Sequence, residues 1–185
     1  KSWLPQFVTE KALLVKCPDL SGESCRSMEA MYHFTEYCSD AVGILFLVDP
    51  FCEGEYDASA GINGFVCAQR NRLNMSAEYK LKQPVAIVLT KVEDERSILD
   101  DFPCQIGNYA AELNKETSRM VEMYLDVEYG ASNVVALTKH NFQQCSFFEI
   151  STHSHASCGS ETRYQYSPYR IEEPLLWMAK SFSLI

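Results

Sequence analysis

The chain has 185 residues, of which 46% are hydrophobic and 22% charged, and sixteen Lys and Arg face twenty-five Asp and Glu for a formal charge of −9. That length suits one domain with a substantial core. The acidic balance argues against a nucleic-acid or anionic-membrane surface, which needs a dense basic patch. No apolar run approaches the ~20 residues that span a bilayer.

The N-terminus, Lys1-Ser-Trp-Leu-Pro, lacks the basic-then-apolar layout of a signal peptide. It also lacks an initiator Met, so the expectation is a chain processed or cut from something longer. The eight cysteines contain no Cys-x-x-Cys pair and several lie in apolar stretches. They are expected to be reduced thiols of a cytoplasmic protein.

In chain order, short apolar strands alternate with helical patterns, which predicts a mainly parallel α/β sheet with helices on both faces. Residues 12–17 form the first strand. A turn at residues 18–22 leads to a helix with Met28, Met31, Tyr32, Thr35 and Cys38 on one face. Residues 42–48 (VGILFLV) read as a strand covered on both faces. Ile62, Phe65, Val66, Gln69 and Leu73 mark the next helix, and residues 85–89 a second buried strand after Pro84.

Residues 105–129 are the most regular helix, with Ile106, Tyr109, Ala110, Leu113, Thr117, Met120, Tyr124 and Val127 at helical spacing and Gly130 as the stop. Residues 134–137 and 147–150 are predicted strands, and residues 151–167, rich in Ser, His and Gly, a loop. A last helix begins near Glu172, with Pro174 in its first turn and Leu175, Met178, Ala179 and Phe182 facing the core. No repeat or linker divides the chain, so residues 1–185 are expected to be one domain.

Ligands of open parallel sheets gather at the carboxyl ends of the strands. Three predicted ends carry polar signatures: Asp19-Leu-Ser-Gly22-Glu23, Thr90-Lys91-Val-Glu93 and Ser151-Thr152-His153. Each has a structural reading as well. Asp-x-x-Gly is a common turn, and Thr-Lys-x-Glu can be a capped helix start.

In order and spacing these motifs resemble the small-GTPase superfamily of P-loop proteins. Asp19-x-x-Gly22 resembles the motif that opens the second switch, Thr90-Lys91-x-Glu93 the guanine-reading motif, and Ser151-Thr152-His153 the loop that closes over the base. The context of residues 41–50 and Glu173-Pro-Leu-Leu-Trp177 is similar to bacterial double-GTPase-type domains. The resemblance runs from about residue 10 to the end. It implies a guanine-nucleotide switch, binding GTP or GDP with Mg²⁺ and hydrolysing GTP slowly, in contact with a protein partner.

On that resemblance Asp19 holds Mg²⁺ through water, and Gly22 lets the backbone approach the terminal phosphate. Glu23 stands where relatives carry the glutamine that orients the attacking water. Lys91 lies along the base plane, and Glu93 accepts from the guanine N1–H and exocyclic amine. Thr90, Ser151 and Thr152 complete the base end. Glu93 is one methylene longer than the usual Asp. No Gly-x-x-x-x-Gly-Lys-Ser/Thr occurs among the 185 residues, so the first strand and its phosphate loop are expected from another segment. The alternative is a non-catalytic pseudo-GTPase that serves as a protein-interaction module. A rival set for zinc, Cys145, His153, His155 and Cys158, has a spacing that matches no common zinc module.

Overall fold

The computed structural model describes residues 33, 41–49, 58–90, 111–158 and 161–183, with the backbone alone at 111, 112, 152–158 and 161–167. The predicted strand at 12–17, the helix face from Met28 to Cys38 and residues 105–110 of the long helix lie outside these. The described elements are β1 (Ile44–Val48), α1 (Ala58–Leu73), β2 (Val85–Leu89), α2 (Ala111–Val127), α3 (Ser132–Asn141), β3 (Cys145–Glu149), β4 (Ser151–Cys158), β5 (Glu161–Tyr169) and α4 (Glu173–Ser181). The described residues are α/β, and the four helices named accompany a three-stranded parallel sheet of order β1-β2-β3.

β2 is the central strand and all five of its residues are buried. It pairs in register with both neighbours, Val85 opposite Ile44 and Cys145, and Leu89 opposite Val48 and Glu149. A continuous apolar run suits such a position, because both faces need covering. On one face Ile87, Leu89 and Phe147 pack with Ile62, Phe65 and Val66 of α1, Val121 and Leu125 of α2, and Val134 and Val135 of α3. On the other, Ala86, Val88 and Phe148 meet Met178 of α4. Helices therefore lie on both faces.

The open edge of β3 is closed by α2. Ser118 Oγ accepts from the Phe147 N–H at 2.9 Å, and Asn114 Nδ2 donates to Ser146 Oγ at 3.3 Å. An unpaired edge N–H would otherwise lack a partner. This contact turns α2 from the predicted orientation. Thr117, Val121 and Leu125 are buried, whereas Val127, expected inside, is 71% exposed. Leu175, also expected to face the core, is 49% exposed, and Leu73 at the end of α1 is 47% exposed. Gly130, at φ +62°, ends the helix as its sequence position requires.

Two predicted elements are corrected. Residues 134–137 belong to α3 and not to a strand. The i,i+4 bonds from Thr138 Oγ1 to the Val134 carbonyl and from Asn141 Nδ2 to the Leu137 carbonyl hold the helical turn. Burial of Val134 and Val135 against the core outweighs the β preference of valine. Residues 151–167 are not a loop: β4 and β5 pair antiparallel, from Ser151 opposite Tyr169 to Cys158 opposite Glu161. The Gly159-Ser160 dipeptide between them is a two-residue hairpin signal.

α4 can approach β1 because residue 43 is glycine. A Cβ there would overlap Met178 Sδ and lie 3.0 Å from Phe182 Cζ. Gly43→Val should lower stability by about 1–3 kcal/mol through overpacking, read as a lower midpoint in urea unfolding. An unchanged midpoint would show that α4 is not seated on this strand.

Candidate functional site

Polar residues collect at the carboxyl ends of the three parallel strands. Asp49 follows β1, Thr90 follows β2, and Glu149 ends β3. The parallel ladder continues past the strands themselves. The Thr90 N–H donates to the Val48 carbonyl at 2.9 Å and the Ile150 N–H to the Leu89 carbonyl at 2.9 Å. Thr90 Oγ1 also donates to the Val48 carbonyl, at 3.3 Å, so its hydroxyl braces the tip of β1. The hairpin leaves directly from β3, with Ser151 buried.

Of the residues singled out in the sequence, Thr90 and Ser151 are therefore brought to adjacent strand ends. The backbone of Thr152 follows in β4. This corrects one detail, since Ser151, Thr152 and His153 form strand and not a closing loop. Asp19, Gly22, Glu23, Lys91 and Glu93 lie outside the described residues.

Sequence reasoning missed two buried charged groups beside this edge. Glu149 is 1% exposed at the end of β3. Its only signal was a carboxylate closing an apolar strand. Arg170 follows β5 at the point where the register Ser151↔Tyr169 returns the chain to the tip of β3. Its Nε donates to Glu173 Oε2 at 3.1 Å, and both side chains are almost wholly buried. The guanidinium lies 5.5 Å from the centroid of the Tyr169 ring. Glu173 thus does two things at once, fixing Arg170 and placing an acidic side chain in the first turn of α4.

The rival zinc set is divided by the fold. Cys145 opens β3 at the amino end of the sheet, while His153, His155 and Cys158 follow the strand's carboxyl end. Among the described residues no three His, Cys, Asp or Glu side chains gather as metal ligands. Cys145 lies near Glu122, Lys139 and Lys80, and burial is the main cause that pushes its thiol above the ordinary range.

Compared with known proteins, the chain matches no family model, no curated protein and no solved structure. No helix among the described residues is long and apolar enough to cross a membrane.

Glu173→Ala should cost about 3–5 kcal/mol, because it strips the carboxylate from a buried guanidinium. Denaturant unfolding measures this, and Arg170→Met combined with Glu173→Leu should lose far less. A double variant as weak as the single one would assign the loss to something other than the stranded charge. Cys145, held as the neutral thiol, should alkylate with iodoacetamide more slowly than exposed Cys67 at pH 7. Its rate should rise only as pH passes above the ordinary thiol value of about 8.5, followed by peptide mass spectrometry. A Cys145 rate that is already maximal at pH 7 would contradict the burial.

Proposed function

We propose that this chain is a P-loop GTPase-like domain that binds a guanine nucleotide across the carboxyl edge of its parallel sheet. The observation that carries this reading is the adjacency of Thr90 and Ser151, which open the second and third motifs at the tips of hydrogen-bonded neighbours β2 and β3. Two base-contacting segments must lie a few ångströms apart to hold one ring system, and strands are spaced about 4.8 Å apart. The parallel order β1-β2-β3 also agrees with a layout in which the phosphate-binding strand lies beyond β1.

In this reading Thr90 serves as a brace. Its hydroxyl is committed to the Val48 carbonyl, so it fixes the strand tip directly before Lys91 and Glu93, which serve the base. Lys91 covers the ring, and Glu93 accepts two hydrogen bonds that adenine cannot offer. A backbone N–H at Thr152 or His153 donates to the exocyclic oxygen. Asp19 holds Mg²⁺ through water, Gly22 admits the terminal phosphate, and Glu23 stands beside the attacking water. A carboxylate there repels an anionic phosphate, so hydrolysis is slow and a protein partner that supplies a cation would speed it.

A second reading is favoured by the lack of a Gly-Lys-Ser/Thr phosphate loop among the 185 residues. The same fold would then act without nucleotide, as a protein-interaction module. Titration of the full-length protein with a fluorescent GDP analogue and Mg²⁺ separates the two. Saturable binding is expected, with Lys91→Ala and Glu93→Ala each weakening it roughly tenfold or more, as loss of a charged hydrogen bond does. ADP should compete poorly. No binding at about 100 μM would favour the interaction module, and equal competition by ADP would remove guanine selectivity.

A further inference from the structure

A cleft of about 530 Å³ opens at the amino end of the sheet, away from the motifs above, between α2, the start of β3 and α4. Its volume is that of sites for small organic ligands, roughly 300–1,000 Å³. Lys115 and Arg119 line it one helical turn apart on α2. The carboxylate of Glu122, also on the wall, is already ion-paired with Lys139. The cleft therefore presents a cationic wall in a chain whose formal charge is −9.

A second feature points inward. Asn114 is 5% exposed, donates through Nδ2 to Ser146 Oγ, and leaves its Oδ1 without a hydrogen-bond partner among the described residues. Ser146 has one hydroxyl, so whichever way the amide is turned, the pair leaves one end of Asn114 unused. A buried amide end with no partner is costly, and because Asn114 lines the cleft, a small turn of its side chain brings that end to a ligand hydroxyl, which can donate or accept. Trp177 of α4 completes the wall. Its ring is steadied edge-on against Phe148, at 5.8 Å between centroids, and it offers an apolar flank to the C–H face of a sugar.

We propose that this cleft binds a small hydroxylated organic anion of the sugar-phosphate class. Arg119 and Lys115 take the anionic group, for which the guanidinium fork is well shaped. Asn114 and Ser146 take a hydroxyl, and Trp177 packs on the carbon skeleton.

The chain has two tryptophans, Trp3 and Trp177, so Trp3→Phe leaves Trp177 fluorescence as a local reporter. Ribose 5-phosphate, without Mg²⁺ or nucleotide, should change that fluorescence saturably. Arg119→Ala and Lys115→Ala, both at exposed positions, should each weaken the effect roughly tenfold or more, the scale of one charge-assisted contact. Ribose and inorganic phosphate should each bind at least about tenfold more weakly than the joined molecule. Asn114→Leu should weaken it as well, and the two exposed variants keep the test decisive if that protein fails to fold. Absence of saturation at about 10 mM, or affinity unchanged in Arg119→Ala and Lys115→Ala, overturns the proposal. Inorganic phosphate binding as tightly as ribose 5-phosphate overturns the hydroxyl and sugar contacts. Repeating the titration with GDP and Mg²⁺ present should give the same curve, so its outcome is separate from that of the nucleotide reading.

Discussion

The described structure depends on a single fully buried strand. β2 contributes five apolar residues and forms ladders on both sides, so its backbone groups are paired while its side chains fill both cores. Both neighbours run parallel to it and in register, so the chain returns by long crossovers, whose helices cover the faces. The long connection from β2 to β3 supplies α2 and α3 to one side, while α4 closes the other. α2 adds a further service. By offering Ser118 and Asn114 to the edge of β3, it ends the sheet with side-chain hydrogen bonds where another strand would otherwise be needed.

Much of this was legible in the sequence for one reason. Strands buried on both faces write themselves as unbroken apolar runs, and residues 85–89 coincide with β2 at both ends. Helical spacing likewise placed Ile62, Phe65, Val66 and Gln69 inside, and all four are buried. Failures fell where contacts distant in sequence decide the local state. The valines at 134 and 135 are a β-like pair whose helical state is decided by packing from α1 and α2, which no local pattern encodes. Strands β4 and β5 are rich in Ser, His and other polar residues, which read as loop, while the Gly159-Ser160 dipeptide is the turn signal between them. On α2 the apolar stripe was read correctly as helical but assigned the wrong centre, because the polar contacts to β3 fix its rotation.

The candidate site was legible to a different degree. The positions of Thr90 and Ser151 followed from strand ends, since a polar residue directly after an apolar strand is at its tip whatever the fold around it. What could not be read was the buried charge behind the tip. Glu149 and the Arg170–Glu173 pair come from three elements, and their burial depends on the hairpin returning the chain to β3. A pair of this kind contributes little net stability compared with apolar residues of similar size, yet it is costly to break. Its effect is to fix how the hairpin and α4 join the sheet, and so to hold the segment after β3 in one place.

A parallel sheet has unlike ends, and this chain uses the difference. At the carboxyl end, strand tips run into Asp49, Thr90 and Ser151, a rim of acidic and hydroxyl groups, backed by buried Glu149, that by itself would repel a phosphate. An anionic nucleotide there requires a cation or a cradle of N–H groups to offset the rim, which is the role assigned to Mg²⁺ and to the segments beyond β1. At the amino end the balance is reversed. Lys115 and Arg119 face a cleft whose one carboxylate is already paired with Lys139, and an anion needs no metal to enter. The two ends are joined through β3 itself, a five-residue strand that begins at Cys145 and Ser146 in the cleft and finishes at Glu149. That strand is mostly buried, paired with β2 along one edge and held at Phe147 by Ser118 on the other, so occupancy of one end has no hinge within it through which to reshape the other. Independent binding at the two ends is the behaviour this geometry favours.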